Sequence, residues 1–319
     1  MTVLVTGATG FVGGYVAARL RGDAAGLVRG SDPQARLDAA VGGVPAVAGD
    51  LQGGPLRLPR DVTAIVHCAA SVSFTLPLDA ARAINVEGTR RLLEAAAALP
   101  ALERFVHVST AYVAGAHTGT FGERDLDVAQ RFRNSYEQSK HEAERLVRAS
   151  GLPVRVVRPS IVVGESSTGW TSSFNVLYPP LHALARGLLA RVPAEPDAVV
   201  DVVPVDHVAD VVQAALHWRC GPDTLHAVAA EAALSARELA GLAAGELGRP
   251  VPVLDPDGPG VPPGGLEVYA PYFSVRTRFD AAHARALGLR PPPLADYLPR
   301  LLAFAQAARW GKAPVARAA

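Results

Sequence analysis

The chain has 319 residues, and its 31 Lys and Arg residues against 30 Asp and Glu residues give a formal net charge of +1. A chain of this length buries enough surface to fold without disulfides, and its near-neutral charge argues against nucleic acid or an anionic membrane surface as the main partner. Hydrophobic residues make up 49% of the sequence and charged residues 19%, which excludes disorder over most of the chain.

The cysteines, histidines and apolar runs exclude further classes of protein. Cys68 and Cys220 are the two cysteines, and no histidine pair has metal-ligand spacing, so we predict neither a disulfide framework nor a metal site. The first residues are typical of a strand that runs into a glycine turn rather than of a signal peptide, and no apolar run reaches about 18 residues. We therefore expect a cytoplasmic protein without a membrane span.

Short β-branched runs alternate with stretches rich in Ala, Leu and Arg through the first half of the chain. This alternation is typical of a parallel sheet with helices on both faces. The predicted strands are 3–5, 25–28, 44–48, 64–67, 105–108, 154–157 and 201–205. The predicted helices are 13–21, 78–99, 135–150, 181–189 and 208–218. The fold class is α/β: a Rossmann-type doubly wound parallel sheet with a smaller C-terminal α/β part.

The alternation breaks after residue 164, where Ser, Thr, Gly and Pro become frequent. Residues 251–272 are rich in Pro and Gly and predict a long loop. The predicted division of the chain has three parts: a nucleotide-binding core of 1–164 and 201–230, a substrate-binding part of 165–200 and 231–311, and a flexible tail of 312–319.

Three glycines lie between the first strand and the first helix, at Gly7, Gly10 and Gly13. In this position the first glycine makes a tight turn, the second lets the backbone approach a pyrophosphate, and the third lets helix and strand pack closely. The helix N-terminus then holds the anionic pyrophosphate. The segment therefore predicts a dinucleotide site.

The end of the second strand indicates which dinucleotide is bound. An acidic residue there pairs with a ribose 2′-hydroxyl, whereas arginine pairs with a 2′-phosphate. The chain has Arg29 at this end and no carboxylate, and Arg36 follows seven residues later. We predict NADP(H), held by Arg29, with Arg36 either as a second contact or as a solvated helix residue.

Tyr136 and Lys140 are four residues apart on a predicted helix, so they lie on one helix face. An ammonium beside a phenol favours the phenolate, and we expect it to lower the pKa of the tyrosine. Ser109 and Thr110 end the preceding strand and supply hydroxyl groups. Lys140 is one of two lysines among 31 basic residues, so a lysine at this position is itself informative.

These motifs resemble the extended short-chain dehydrogenase/reductase family from the first strand to about residue 215. The matching segments are Thr6–Gly13, Gly49–Leu51, His67–Ala70, Asn85–Thr89, Tyr136 with Lys140, and Arg158–Gly164. The resemblance implies a catalytic set of Thr110, Tyr136 and Lys140. The cofactor-binding residues are, in addition to Lys140, Gly7, Thr9, Gly10, Phe11, Val12, Gly13, Arg29, Arg36, Asp50, Leu51, Ala69, Ala70, Ser71, Asn85, Ser109, Pro159, Ser160, Ile161 and Val162.

Three segments are more narrowly similar to the fatty acyl-CoA and thioester reductase branch: 67–74, 105–113 and 158–164. That resemblance implies hydride transfer to the carbonyl of an acyl thioester, bound to CoA or to a carrier protein, giving an aldehyde and, after a second hydride, an alcohol. The expected state is a monomer or homodimer. The aromatic segment Tyr269–Phe273 either lines an acyl pocket or packs in the core.

Three alternatives stay open from the sequence. The same chemistry acts on a ketone or alcohol in hydroxysteroid or flavanone-type reductases of this superfamily. Nucleotide-sugar epimerases and dehydratases share the glycine loop and the catalytic set. They bind NAD, however, and Arg29 argues against NAD as the cofactor of this chain. A dinucleotide-sensing module without catalysis keeps the glycine loop and loses the tyrosine, which this chain retains.

Overall fold

The computed structural model describes residues 2–218, 221–258 and 266–314, which form an α/β fold. The strands are β1 (Thr2–Thr6), β2 (Ala24–Val28), β3 (Ala46–Ala48), β4 (Val62–His67), β5 (Arg104–Val108), β6 (Gly119–Phe121), β7 (Val154–Pro159), β8 (Ile161–Val163), β9 (Arg191–Val192), β10 (Val199–Val200), β11 (Val202–Pro204), β12 (Thr224–Ala227), β13 (Leu234–Ser235), β14 (Val253–Leu254) and β15 (Thr277–Phe279). The α-helices are α1 (Phe11–Arg19), α2 (Pro33–Ala40), α3 (Leu78–Asn85), α4 (Glu87–Ala97), α5 (Ser135–Arg148), α6 (Tyr178–Ala185), α7 (Val205–His217), α8 (Ala236–Leu247), α9 (Ala282–Ala286) and α10 (Leu294–Ala307).

Seven parallel strands form the central sheet in the order β12-β7-β5-β4-β1-β2-β3. The order reverses at β1, which lies between β4 and β2, so the carboxyl ends of β1 and β4 border the crevice where such sheets bind ligands. The prediction of a Rossmann-type parallel sheet is therefore confirmed.

Alternate side chains of β1 enter different cores on the two faces of the sheet. Val3 and Val5 pack with apolar residues of α1 and α7, whereas Leu4 packs with residues of α4 on the other face. This alternation explains the continuous apolar run, because a strand covered on both faces needs no polar position.

The prediction of one helix over 78–99 is wrong in one respect. The segment forms two helices, α3 and α4, which meet at Val86. The Thr89 hydroxyl donates to the carbonyl oxygen of Asn85 at 2.6 Å, a side-chain bond that competes with the helical backbone pattern. The break turns the side chain of Asn85 toward the carboxyl edge of the sheet.

The strand predicted at 201–205 also differs, because β11 pairs with β8 in a separate two-stranded sheet and not with the central one. The chain leaves the central sheet at Ser160, between β7 and β8, and β11 follows it there. The predicted loop 251–272 contains β14 and the first turns of a 3-10 helix, Glu267–Ser274, while residues 259–265 lie outside the described residues. Of the predicted tail, 312–314 are described and 315–319 are not. The division of the chain into parts stays a prediction.

Candidate active site

The glycine turn at the end of β1 has the shape that a dinucleotide phosphate needs. Gly7 has a φ of +69°, and a Cβ atom there would lie 2.7 Å from the backbone nitrogen of Ala69 after β4. The amide of Gly10 donates to the carbonyl of Gly7 at 2.9 Å, and Gly10 caps α1 without a side chain. Thr9, Phe11, Val12 and Gly13 complete this turn and the start of α1, where free amides and the helix dipole favour a phosphate. These residues fit a dinucleotide.

Two arginines meet at the end of β2. Arg36 donates to the backbone carbonyl of Arg29 at 2.7 Å, and its guanidinium lies against Gly30, which has a φ of +113°. Arg29 donates to the side-chain oxygen of Gln52 at 3.1 Å, and both guanidinium groups are exposed. The two predicted residues therefore lie on one turn at the end of β2, a placement that suits a bound phosphate.

The turn after β3 carries the residues expected at the adenine. Asp50 accepts a hydrogen bond from the backbone nitrogen of Gln52 at 2.9 Å, so its carboxylate holds its own turn. Leu51 packs with the core on the α4 face of the sheet, beside Gly88. Both therefore lie near Arg29, since Gln52 joins the two segments.

A clamp formed by Asn85 holds the loop that follows β4. Its side-chain oxygen accepts from the backbone nitrogen of Ser71 at 2.7 Å, and its nitrogen donates to the Ser71 carbonyl at 3.1 Å and to the Ser139 hydroxyl at 2.9 Å. Ala69 and Ala70 lie in the same loop. Asn85 thus joins this loop to α5, and its predicted contact with the cofactor stays a prediction.

A buried chain of hydrogen bonds links this clamp to the glycine turn. The Thr89 hydroxyl donates its one proton to Asn85, so it accepts from His67 Nε2 at 2.9 Å. His67 Nδ1 then accepts from the Thr6 hydroxyl at 2.7 Å, and that hydroxyl accepts from the Ala69 amide at 3.2 Å. Burial lowers the pKa of His67 to about 3, so the ring is neutral, as this pattern requires.

The three predicted catalytic side chains converge where β5 ends against α5. Thr110 follows β5, is buried, and has its hydroxyl 3.4 Å from the carbonyl of Pro159. The phenol of half-buried Tyr136, the second residue of α5, lies close enough to this hydroxyl for Thr110 to influence its pKa. Buried Lys140 lies one turn later, and its Nζ donates to the carbonyl of Val108 at 2.8 Å.

The electrostatics of this group differ from the expectation on one point. Burial raises the pKa of Tyr136 to about 12, although the nearby Thr110 hydroxyl opposes this rise, so the predicted lowering is wrong for this structure. Burial also lowers the pKa of Lys140 to about 8, a shift that Cys68 and Glu144 oppose. The physical reason is desolvation of both groups while Lys140 bonds a carbonyl.

The strand that would face the nicotinamide lies beside Thr110. β7 ends at Pro159, Ser160 follows at the bend, and Ile161 and Val162 begin β8. The backbone amide of Ile161 donates to the carbonyl of Asp201 at 3.2 Å, which joins the bend to the start of β11.

Sequence reasoning missed a buried ion pair behind these residues. Arg158 and Glu144 are both fully buried, and their two hydrogen bonds measure 2.8 and 3.0 Å. Ser109 donates to the same carboxylate at 2.7 Å. Burial raises the pKa of Glu144, but Arg158, Arg148 and Ser109 outweigh burial and lower it to about 2. Arg158 is a charged residue inside the largely apolar strand β7, and this was the signal in the sequence that could have revealed the ion pair.

An aromatic cluster borders Tyr136, the predicted catalytic tyrosine. The ring of Phe74 lies 5.6 Å from that of Tyr136, 5.1 Å from that of Tyr272 and 6.0 Å from that of Tyr269. The sequence left open whether Tyr269–Phe273 lines an acyl pocket or packs in the core. The structure places these rings beside the site and also in a core.

Two further kinds of feature are absent from the described residues, a metal cluster and a membrane-spanning helix. Residues 2–218, 221–258 and 266–314 contain no group of three or more His, Cys, Asp or Glu side chains that could hold a metal ion. Within the same ranges, every helix is too short or too polar to cross a bilayer.

Comparisons with known proteins agree with this geometry. Residues 56–212 match the family model described as male sterility protein, an NAD-binding domain. A putative fatty acyl-CoA reductase of Drosophila melanogaster is 26% identical over 272 residues, covering 65% of this chain and 53% of that protein. Fatty acyl-CoA reductase 1 of Homo sapiens is 29% identical over 282 residues, covering 69% and 55%. The chain thus spans about half the length of these relatives.

Solved structures share this fold over nearly the whole chain. The terminal R domain from the myxalamid PKS-NRPS biosynthetic pathway superposes with a TM-score of 0.81 at 26% identity, covering 98% of this chain and 92% of that one. The UDP-glucuronic acid 4-epimerase of Bacillus cereus, in complex with NAD, has a TM-score of 0.73 at 17% identity, covering 97% and 98%, and shares the fold.

The fold and the glycine turn define a Rossmann-class domain that is similar to NAD-binding domains. More narrowly, this chain is similar to the fatty acyl-CoA and thioester reductase branch of the extended short-chain dehydrogenase/reductase family.

Proposed function

We propose that this protein uses NADPH to reduce the carbonyl of an acyl thioester carried on CoA or on a carrier protein. The observation that carries the proposal is the convergence of Thr110, Tyr136 and Lys140 where β5 ends against α5, at the carboxyl edge of the sheet. Similarity to fatty acyl-CoA reductases supports a thioester as substrate. The cytoplasmic location and the monomeric or homodimeric state stay predictions.

The hydroxyls of Thr110 and Tyr136 are proposed to donate to the substrate carbonyl oxygen, where negative charge develops. Because burial raises its pKa, Tyr136 keeps its proton at neutral pH and acts as the acid for that oxygen. Lys140 supplies positive charge on the same face of α5 and a donor for the cofactor ribose. When bound, the nicotinamide supplies the hydride.

The first reduction gives a hemithioacetal, whose oxygen carries the proton from Tyr136. Its collapse re-forms the carbonyl, breaks the carbon–sulfur bond and releases a free thiol with an aldehyde. One NADPH and one proton are consumed for each aldehyde. A second hydride transfer to that aldehyde gives the alcohol.

The preference for NADPH over NADH is supported by the paired arginines at the end of β2. The Arg36 side chain bonds the Arg29 backbone, which places two guanidinium groups on one turn. Two such donors bind a 2′-phosphate through charge-assisted bonds that a 2′-hydroxyl cannot match.

The deciding experiment follows NADPH oxidation and free thiol together, with acyl-CoA as substrate. We expect equal amounts of thiol and oxidised NADPH during formation of the aldehyde, and half as much thiol if the alcohol is the product. NADPH consumption without thiol release would overturn the proposal in favour of a ketone or alcohol reductase. Tightly bound NAD in the purified protein would favour nucleotide-sugar chemistry instead.

A further inference from the structure

The first turn of α1, which would hold the pyrophosphate, has little helical stability of its own. Gly13 and Gly14 lie in this turn, and glycine stabilises a helix less than any other residue except proline. A Cβ atom at Gly13 would clash with the carbonyl of Gly7, and one at Gly14 would lie 3.0 Å from the carbonyl oxygen of Ala8, so the close packing requires both glycines. Gly10 caps the helix without a side-chain hydrogen bond. The orientation of this turn therefore depends on contacts from other parts of the chain.

The loop that connects β8 to α6, residues 164–177, supplies such contacts. The ring of Trp170 lies 6.1 Å from that of Phe11 and 6.4 Å from that of Tyr15. Phe11 and Tyr15 are four residues apart, so they share one face of α1, and a single indole ring packs against both. Trp170 thus contacts the helix at the turn whose free amides point toward the phosphate site.

A buried carboxylate ties the same loop to α1. Glu165 is 8% exposed and accepts a hydrogen bond from the Tyr15 hydroxyl at 2.6 Å. Its second carboxylate oxygen accepts from the Thr168 hydroxyl at 2.6 Å, and that hydroxyl accepts from the amide of Trp170 at 3.1 Å. The amide of Glu165 donates to the carbonyl of Trp170 at 2.9 Å, which closes the loop. Glu165 therefore holds both the Tyr15 side chain and the backbone that carries the indole.

The other side of the loop is fixed to α7 and α10. Asp206, in the first turn of α7, accepts from the amide of Ser166 at 2.8 Å and from its hydroxyl at 2.6 Å. Arg300 of α10 donates to the carbonyl of Ser166 at 2.7 Å, and the backbone of Gly169 lies so close to that of Arg300 that a Cβ atom there would clash. Because the loop is anchored on α7 and α10, it can hold α1 in a fixed position.

We propose that Glu165 and Trp170 are positioning residues for the cofactor, since they hold the first turn of α1 in the orientation that binds the pyrophosphate. They act through Phe11 and Tyr15 and not by touching the cofactor. The inference rests on the dinucleotide site of the proposed function and not on the identity of the substrate. Because NADPH and NADH share the pyrophosphate, loss of this positioning should weaken both alike, whereas loss of Arg29 should weaken NADPH alone.

The test measures dissociation constants by calorimetry for NADPH, NADH and 2′-AMP, which carries a phosphate for Arg29 but no pyrophosphate. Trp170→Ala should raise the constants for NADPH and NADH equally, by about tenfold, because two aromatic contacts are lost. The constant for 2′-AMP should not change. Glu165→Leu removes the acceptor of the Tyr15 hydroxyl and should act in the same direction.

Conservative variants and a matched control separate positioning from general damage. Trp170→Phe keeps an aromatic ring and Glu165→Gln keeps an acceptor, so both should retain most of the affinity for the two dinucleotides. Tyr15→Phe removes a single hydroxyl and carries the same test if the larger changes prevent folding. Trp310→Ala is the matched control, because Trp310 is also half-buried but stacks on His182 of α6 at 4.8 Å, and its three constants should equal those of the wild type.

Equal weakening of all three ligands, or the same loss of NADPH affinity in Trp310→Ala, would indicate general damage and overturn the inference. Unchanged affinity for both dinucleotides in Trp170→Ala or in Glu165→Leu would also overturn it. A wild-type protein that binds neither NADPH nor NADH would refute the dinucleotide site together with the inference. The expected pattern in a protein that releases no thiol from acyl-CoA would support the positioning role and refute thioester reduction.

Discussion

Buried polar side chains are distributed unevenly between the segments around the central sheet and the remaining segments of the chain. Among the described residues, the segments 165–200 and 231–311 contribute Glu165, Thr171 and Thr277 to the buried polar side chains, and the sheet part contributes the rest. An apolar pocket, in contrast, is lined by described residues of those two segments, Leu184, Ala243 and Phe273 among them. The buried charged groups thus lie mainly around the central sheet, whereas the segments 165–200 and 231–311 bury mainly apolar side chains.

The largest effect is expected from Tyr136→Phe, which removes the proposed acid from the sheet part. Turnover should fall by about 10²–10⁴-fold while NADPH affinity stays, because one positioned proton donor is worth about that much. Steady-state kinetics and fluorescence titration with NADPH measure the two quantities.

The comparison hydroxyl in segment 231–311 is that of buried Tyr297, which has no hydrogen-bond partner among the residues that the structure describes. Tyr297→Phe therefore removes no bond and should leave both kcat and stability nearly unchanged. If both variants lost activity equally, the contrast between the two parts would be wrong.

The buried pair of Glu144 and Arg158 should dominate the stability of the sheet part. Glu144→Gln leaves the Arg158 charge buried, and the free energy of unfolding should fall by about 3–5 kcal/mol. Glu142→Gln on the same helix is the control, because its pair with Arg82 is partly exposed and is worth about 0–1 kcal/mol. Urea unfolding of the three proteins tests this, and equal losses would contradict it.

The lowered pKa of Glu144 also predicts how the stability of the protein changes in acid. The pKa of Glu144 is lowered to about 2, so its contribution is present above its ordinary value of 4.5 and is lost as the pH falls from there toward 2. Wild type should therefore lose its advantage over Glu144→Gln across that range. A difference in Tm that is constant from pH 6 to pH 3 would argue against the ion pair.

The pH dependence of reduction should follow the protonation state of Lys140. Because burial lowers its pKa to about 8, the ammonium is charged below that pH and neutral above it. We expect kcat/KM to fall about tenfold per pH unit above pH 8. Lys140→Arg keeps its charge, so its lower activity should lack this decline, and a wild-type profile that is flat to pH 10 would contradict the assignment.

The smallest expected effect concerns cofactor choice. Arg29→Ala should raise the KM for NADPH about tenfold or more and leave that for NADH nearly unchanged, since a charge-assisted bond contributes about 1.5–3 kcal/mol. Equal catalytic efficiency of the wild type with both cofactors would show that the arginines do not select the phosphate.

Features that depend on near neighbours in the chain were predictable. The glycine turn follows from three glycines between a strand and a helix, and Tyr136 with Lys140 follows from helical spacing. The break at Val86 was not predictable, because it depends on how Asn85 and Thr89 use their side chains among distant partners.

The sequence by itself determined the parallel sheet, the glycine turn and the face of α5 that carries Tyr136 and Lys140, because each follows from local patterns. Tertiary structure alone decided that Lys140 bonds Val108, that Glu144 meets Arg158 and that Phe74 stacks on Tyr272. These contacts join residues far apart in the chain, and the burial that shifts the pKa values of Tyr136 and Lys140 arises only when those segments pack together.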